Sequence, residues 1–279
     1  MSLKSTFKSQ LFYFLEKVLK VHITPVHFYS PIPHVGSIEP SSFSKINDCV
    51  GLDFQEVAQI RFIEDIAVKY ADEFCPSENI GLSKVDAYFL YSMIRNKAPK
   101  LFIEIGSGES TKISLKALEA NKADGNDFKF IAVEPYPKSY LKDLESESFT
   151  LLVKKVQEVP VSMFHNADIL FIDSSHVSKF GSDVNYELMD IVPLLKVGSI
   201  IHWHDIMIPG DYPKSWVVDN RIFWNESYMV HIFMLFNKTF KIIWASKYMQ
   251  IKYPELLAQK FTFFSPNQQM SSFWIERIA

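Results

Sequence analysis

A short apolar run followed by a glycine turn constrains this chain more than any other feature. The run is Leu101–Ile105, and its composition is typical of a strand buried on both faces. Gly106-Ser107-Gly108 ends the run, and apolar residues then recur at helical spacing as far as Ala120. A strand, a tight glycine turn and a helix N-terminus let backbone amides approach a ligand closely. The sequence therefore predicts a ligand site at this turn.

From residue 100 onward, predicted strands alternate with predicted helices. The strands are Leu101–Ile105, Phe128–Val133, Phe149–Val153, Asp168–Ile172 and Ser199–Trp203. The helices are Thr111–Asn121, Lys138–Glu145, Gly181–Leu195 and Arg221–Phe236. Two further strands, Phe240–Ala245 and Ser272–Ile278, follow with no helix predicted between them. This pattern predicts an α/β fold: a doubly wound, seven-stranded, mainly parallel sheet with an antiparallel C-terminal edge pair.

Residues 1–82 are predicted to form a helical and extended appendage, and residues 83–279 the main domain. The first helix has an apolar face, made by Phe7, Leu11, Phe14, Leu15 and Val18. Such a face lies on a membrane surface in some proteins, but packing against the domain or a second subunit is its commoner use.

Three prolines (Pro25, Pro31 and Pro33) then predict an extended arm that contacts either the acceptor or another subunit. Two helices are predicted after the arm. One spans Asp53–Phe74, and the other begins at the capping sequence Ser83-Lys-Val-Asp86.

Composition argues against several other classes of protein. The net charge is −3 and the pI is near 6.2, so no basic surface for nucleic acid is expected. The two cysteines are too few for a disulfide framework or a cysteine-based zinc site, which is typical of reduced thiols in a cytoplasmic protein. No apolar run approaches the ~20 residues that span a bilayer, and lysines interrupt any signal-peptide core near the N-terminus. We therefore expect a cytoplasmic protein without a transmembrane segment.

Polar residues stand at the carboxyl ends of the predicted strands, where ligands of such sheets bind. Glu104 lies just before the glycine turn, and Glu134 closes the second strand, 28 residues after Gly106. A carboxylate in that place can accept hydrogen bonds from both hydroxyls of a ribose. A nicotinamide-binding unit would also have an acid there, but with a third glycine in place of Thr111 and an apolar residue in place of Glu104.

The glycine turn, Glu104-Ile-Gly106-Ser-Gly108, resembles motif I of class I S-adenosylmethionine-dependent methyltransferases. Further matching segments are Val133–Pro137, Val156–Val159, Asp168–His176, Gly181–Tyr186, His202–Ile206 and Phe223–Glu226. Together they are similar to the small-molecule and sugar O-methyltransferases that include macrocin-type enzymes. The resemblance implies a Rossmann-like fold, S-adenosylmethionine as cofactor, and methyl transfer to a hydroxyl of a sugar or glycosylated small molecule.

The resemblance also implies cofactor-binding roles. The turn residues would pass backbone close to the methionine part, and Glu104 would support its ammonium group. Glu134 would hold the ribose, and Gln157 would contact the adenine. The implied cofactor residues are Glu104, Gly106, Ser107, Gly108, Glu134 and Gln157.

A second implied group consists of a general base and a metal site. In related metal-dependent enzymes, the Asp of an Asp-x-x-His motif binds a divalent cation and the His is the general base, which here are Asp173 and His176. A sugar hydroxyl is a weak acid, and a His with a pKa of ~6.5 can take its proton. His204 and Asp205 would complete the metal site. Mg²⁺ prefers oxygen ligands, so a histidine ligand at position 204 leaves Mn²⁺, Fe²⁺ and Zn²⁺ as alternatives to Mg²⁺.

Residues 206–224 are predicted to form an inserted loop, long enough to act as a lid or binding element. Tyr212, Trp216 and Trp224 would stack on a sugar, although a subunit contact is an alternative use of the same residues. Two other functions stay open from the sequence. One is a metal-dependent hydrolase or hydroxylase built on the polar strand ends, and the other is a non-catalytic cofactor-binding protein. A homo-oligomer is compatible with each of these functions.

Overall fold

The structure is a computed structural model that describes residues 3–77 and 81–279, with side chains from residue 10 onward. The chain divides into two compact units. The smaller comprises Met1–Ser44 with Pro213–Phe223, and the larger comprises Lys45–Tyr212 with Trp224–Ala279. The boundary that the sequence predicts at residue 82 stays a prediction.

The helices and strands are numbered here in chain order. The helices are α1 (Leu3–Leu19), α2 (Glu56–Lys69), α3 (Lys84–Lys97), α4 (Glu109–Ala123), α5 (Ser139–Lys142), α6 (Asp183–Tyr186), α7 (Glu226–Met234), α8 (Ser246–Lys252) and α9 (Pro254–Lys260). The strands are β1 (Leu101–Ile105), β2 (Lys129–Val133), β3 (Phe149–Leu152), β4 (Ile169–Ile172), β5 (Ile200–Trp203), β6 (Phe240–Ala245) and β7 (Phe273–Arg277). No helix in the described ranges is long and apolar enough to cross a membrane.

The smaller unit contains α1, an extended arm and two short 3₁₀ helices, Val35–Ser37 and Pro40–Ser44. It also contains a π-helical turn, Ser215–Asp219, so part of the predicted 206–224 loop is helical. Of the predicted apolar face of α1, the side chain of Phe7 lies outside the described residues. The packing of this face against the domain or a second subunit stays a prediction.

The described strands form one sheet in the order β3-β2-β1-β4-β5-β7-β6. The pairings among β1 to β5 are parallel, whereas β7 runs antiparallel to both β5 and β6. The predicted α/β fold with its antiparallel C-terminal pair is therefore confirmed, and each strand boundary agrees with its prediction within one residue.

The prediction of no helix between the last two strands is wrong, because α8 and α9 lie there. Both helices have seven residues, and Pro254 begins the second, so the segment lacks the long periodic pattern that marks a helix in sequence. The predicted helix Asp53–Phe74 is real but shorter, and the capping prediction at Ser83 holds, since its hydroxyl accepts a hydrogen bond from the Asp86 amide at 3.0 Å.

Helices cover both faces of the sheet. Alternate residues of each strand face opposite ways, so each face contributes to a core of its own. Phe102 of β1 packs in a core with residues of α2, α3, α4, α8 and α9. Ile103 and Ile105 pack in a second core with α7 and the helical segment 183–194. The chain thus leaves β1 toward one face and β4 toward the other. A cleft opens at the carboxyl ends of two such neighbouring strands.

Candidate active site

The glycine turn after β1 lies directly against the end of β4. Gly106 has φ +80°, a left-handed conformation that favours glycine, and its amide donates to the Val133 carbonyl at 3.0 Å. A Cβ atom on Gly106 would meet the Asp173 carbonyl oxygen. The turn therefore needs glycine for both conformation and space.

Glu104 is fully buried beneath this turn. Its two carboxylate oxygens accept hydrogen bonds from the hydroxyls of Ser110 and Thr111, both at 2.6 Å. The Thr111 hydroxyl in turn accepts from the Gly108 amide at 3.1 Å. Burial raises the pKa of Glu104 to about 8, against the lowering effect of the two hydroxyls. In this structure the carboxyl group holds the turn to the start of α4.

Glu134 lies at the end of β2 and faces the same turn. One carboxylate oxygen accepts from the Ser107 amide at 3.2 Å, and the other accepts from the Tyr136 amide at 2.7 Å. Gly106 and Glu134 line a cavity of about 440 Å³, within the usual range for small-molecule sites. Gln157 lies on its wall, where its side-chain amide donates to the Gly181 carbonyl at 3.0 Å.

His176 is buried among three carboxylates at the ends of β4 and β5. Its Nδ1 atom lies 2.8 Å from Glu226, and its Nε2 atom lies 3.2 Å from Asp173 and 3.6 Å from Asp205. Burial lowers the pKa of His176, but hydrogen bonds and charge interactions with Asp173 and Glu226 outweigh it and raise the pKa to about 11. The surrounding carboxylates therefore favour the protonated form of the ring.

Two residues of this cluster have unusual backbone conformations. His176 has φ 59° and Asp205 has φ 56°, both in the left-handed region that non-glycine residues rarely adopt. Such conformations collect at functional sites, where surrounding contacts hold them in place. For His176, those contacts include two hydrogen bonds to its carbonyl oxygen, from the amides of Asn225 and Glu226.

Three of these groups could hold a metal ion together. One ligand atom each from Asp173, His176 and Asp205 lies within 4.8 Å of the others. The sequence expects His204 beside the two aspartates, but the structure brings them together with His176 instead. His204 directs Nδ1 toward Asp205 at 3.2 Å, and its buried Nε2 has no hydrogen-bond partner among the described residues.

The charges of His204 and Asp205 support each other. Burial lowers the pKa of His204, but Asp205 outweighs it and raises the pKa to about 9. Burial raises the pKa of Asp205, but His204 and His176 hold it below its usual value. His202, on the same side of β5, is a buried core residue that stacks on Phe171 and lies 3.1 Å from the Ser272 hydroxyl.

The predicted acceptor residues have different surroundings. Trp224 packs its ring against His176, with centroids 4.3 Å apart. Tyr212 is only 2% exposed, and its hydroxyl accepts from the Ser227 amide at 3.0 Å. Trp216 belongs to the smaller unit, where its carbonyl accepts from the Ile222 amide at 2.9 Å.

Sequence reasoning missed Glu226 as a site residue, although the segment Phe223–Glu226 was part of the family resemblance. It also missed Glu187, a second fully buried acid, which accepts from the Ser174 hydroxyl at 3.2 Å. Glu187 begins a π-helical segment, a local irregularity frequent at functional sites.

Comparison with known proteins identifies the family. Residues 103–206 match the family described as a methyltransferase domain. An uncharacterized protein from Archaeoglobus fulgidus is 32% identical over 166 residues, which cover 52% of this chain and 73% of that protein. The chain belongs to the methyltransferases. The enzyme class is as predicted, and neither the hydrolase nor the non-catalytic hypothesis is supported.

Solved structures similar to this methyltransferase are distant. The SAH-bound methyltransferase PaMTH1 from Podospora anserina is 12% identical, with a TM-score of 0.48 and coverage of 100% of this chain and 98% of that chain. The O-methyltransferase TomG from Streptomyces achromogenes, in complex with SAM, is 11% identical, with a TM-score of 0.46 and coverage of 84% and 91%. Likenesses this distant say nothing of the acceptor of the present enzyme.

Proposed function

We propose that this methyltransferase transfers the methyl group of S-adenosylmethionine to a hydroxyl of a sugar or a glycosylated small molecule. The observation that carries the proposal is the position of His176. Its Nε2 atom faces Asp173, and the backbone of Asp173 touches the glycine turn at Gly106. Asp173 thus contacts both the base proposed for the acceptor hydroxyl and the turn expected to hold the methyl donor.

The methyl donor would bind in the cavity that runs from Gly106 past Glu134 to Gln157. That order suits the methionine part, the ribose and the adenine in turn. We propose that Gly106, Ser107 and Gly108 contact the methionine part and that Glu134 accepts from the ribose hydroxyls. Glu104 would act from below, through Thr111, although the predicted contact of its carboxylate with the ammonium group stays open.

In the reaction, the acceptor oxygen would attack the methyl carbon from the side opposite the sulfur while the neutral form of His176 takes the hydroxyl proton at Nε2. His176 must therefore first lose the proton that Asp173 and Glu226 favour on the ring. The carbon–oxygen bond forms as the carbon–sulfur bond breaks. The products are a methyl ether, S-adenosylhomocysteine and a proton on His176. General bases of this kind typically contribute 10²–10⁴-fold to a rate.

A divalent cation fits between Asp173 and Asp205. Their carboxylates are 31% and 14% exposed, lie 3.2 and 3.6 Å from the same His176 Nε2 atom, and offer the oxygen atoms that Mg²⁺ or Mn²⁺ prefers. A cation there would stabilise the negative charge that develops on the acceptor oxygen. Asp173 and Asp205 would be the ligands, and His204 would orient Asp205 through the contact of its Nδ1 atom.

The acceptor would lie beside Trp224, whose ring already covers one side of His176. Tyr212 would support this wall from within, since its own ring is buried. Trp216 stays a proposed acceptor contact. A cytoplasmic location and a homo-oligomeric state likewise stay predictions.

Methyl-labelled S-adenosylmethionine and a panel of hydroxyl-bearing sugars and glycosides test the proposal. We expect label in a methyl ether, with kcat reduced about 10²–10⁴-fold in His176→Ala. His231→Asn, on α7 but outside the site, is the control and should retain transfer. Label transferred to amine or carboxyl acceptors alone, or unchanged turnover in His176→Ala, would refute the proposal.

A further inference from the structure

Asn225 and Glu226, at the N-terminus of α7, form hydrogen bonds with the turn that carries His176. The amides of Asn225 and Glu226 both donate to the His176 carbonyl, at 3.1 and 3.2 Å. The Asn225 side chain pairs with the backbone of Ser178, accepting from its amide at 2.6 Å and donating to its carbonyl at 3.2 Å. These contacts restrain the backbone from the carbonyl of the left-handed His176 to Ser178.

The Glu226 side chain restrains the imidazole itself. It is 1% exposed, and its Oε2 lies 2.8 Å from His176 Nδ1. Its Oε1 has no hydrogen-bond partner among the described residues. A buried carboxylate is costly unless a partner compensates its charge, and the hydrogen-bonded ring of His176 is in the right place to do so.

A second buried acid, Glu187, interacts electrostatically with Glu226. Burial raises the pKa of Glu187 well above its usual value, and the charge of Glu226 raises it further. Burial also raises the pKa of Glu226, while its hydrogen bond and charge interaction with His176 oppose that shift.

We propose that Glu226 and Asn225 are positioning residues for His176, with Glu226 holding Nδ1–H so that Nε2 is presented to the acceptor. This inference rests on the proposed function, in which Nε2 is the base. A carboxylate that orients a catalytic imidazole through its other nitrogen is an established way to fix ring orientation and tautomer. Asn225 fixes the backbone, and Glu226 fixes the ring.

The contact can be tested without knowing the acceptor, by ¹⁵N-histidine NMR of the full-length protein. We expect a protected Nδ1-bound proton on His176 in the wild type, assigned by its absence in His176→Asn. In Glu226→Gln, an amide oxygen can still accept from Nδ1–H, so the signal should persist but shift. In Glu226→Ala, no acceptor remains, so the proton should exchange rapidly and its signal should disappear.

The matched control is Glu187→Gln, which alters a buried acid of the same type beside the site and should leave the Nδ1–H signal in place. Thermal unfolding of each variant separates lost positioning from lost folding. If Glu226→Ala and Glu226→Gln are folded and both keep the wild-type signal, the assignment of Glu226 is wrong.

A separate measurement distinguishes this inference from the proposed function. Calorimetry with S-adenosylmethionine should show binding to both wild type and Glu226→Ala, because the cofactor cavity does not include Glu226. Absent binding in the wild type would count against the proposed cofactor site but leave the NMR result intact.

Where an acceptor is found, Glu226→Ala should lower kcat at least tenfold with less than a threefold change in the acceptor KM, and Glu226→Gln should lower kcat less. An equal loss of kcat in Glu187→Gln would refute a specific role for Glu226.

Discussion

The Asp173 carbonyl oxygen lies so close to Gly106 that a Cβ atom on that glycine would be 1.8 Å from it. The contact joins the ends of β1 and β4. It links the turn proposed to bind the methyl donor to the residue that pairs with His176. Any side chain at Gly106 must therefore move one of these two strand ends.

The variant Gly106→Ala should lose stability and cofactor affinity together. A left-handed backbone costs a non-glycine residue roughly 1–2 kcal/mol, and the clash with Asp173 adds to this. Gly108→Ala is the matched control for stability, because no atom lies within 4 Å of its Cβ position. Urea unfolding measures the effect, and equal midpoints for the two variants would contradict it.

Replacing Glu134 with Ala should weaken binding of S-adenosylmethionine at least tenfold. Its carboxylate is expected to accept from the ribose hydroxyls, and hydrogen bonds to charged groups contribute about 1.5–3 kcal/mol. Calorimetry measures the affinity, with the exposed Glu147→Ala as a control for the same change of charge. Equal affinities in the two variants would remove Glu134 from the cofactor site.

The stability of the wild type should fall with rising pH because of Glu104. Its pKa is raised from the usual 4.5 to about 8, so the folded state binds a proton that the unfolded state releases between these values. Each pH unit in that window then costs up to about 1.4 kcal/mol of folding free energy. Glu104→Gln removes this titration, so its stability relative to wild type should rise from pH 5 to 8. Parallel curves from urea unfolding at each pH would show that Glu104 does not titrate in this range.

Added Mn²⁺ or Mg²⁺ should raise the thermal midpoint of the wild type, and a chelator should reverse the effect. A ligand present at 100 times its Kd stabilises the folded state by about 2.7 kcal/mol. Asp205→Asn should abolish the shift, because it removes a charged oxygen ligand from the cluster.

His204→Asn is the decisive comparison for the metal ligands. The structure places His204 behind Asp205, so most of the metal-induced shift should survive in this variant. Complete loss of the shift would instead make His204 a ligand, as the sequence suggests. No shift with any divalent cation in the wild type would end the metal proposal.

The sequence was sufficient for the sheet but not for the details of the site. Apolar runs such as Leu101–Ile105 identify strands because burial on both faces leaves little room for polar residues. The pairing of His176 with Glu226 could not be predicted, since 50 positions separate them and nothing local marks the contact. The left-handed backbones of His176 and Asp205 were equally hidden. The structure brings His176, and not His204, together with the two aspartates.

Where the segment Pro213–Phe223 joins the larger unit matters for engineering. Tyr212, the residue before it, is anchored to Ser227, and Trp224, the residue after it, packs on His176. A graft that replaces this segment should therefore be cut inside these two residues. A junction placed after Glu226 would also replace Trp224 and Glu226, whose side chains contact His176. We expect variants built in that way to lose turnover before their selectivity changes.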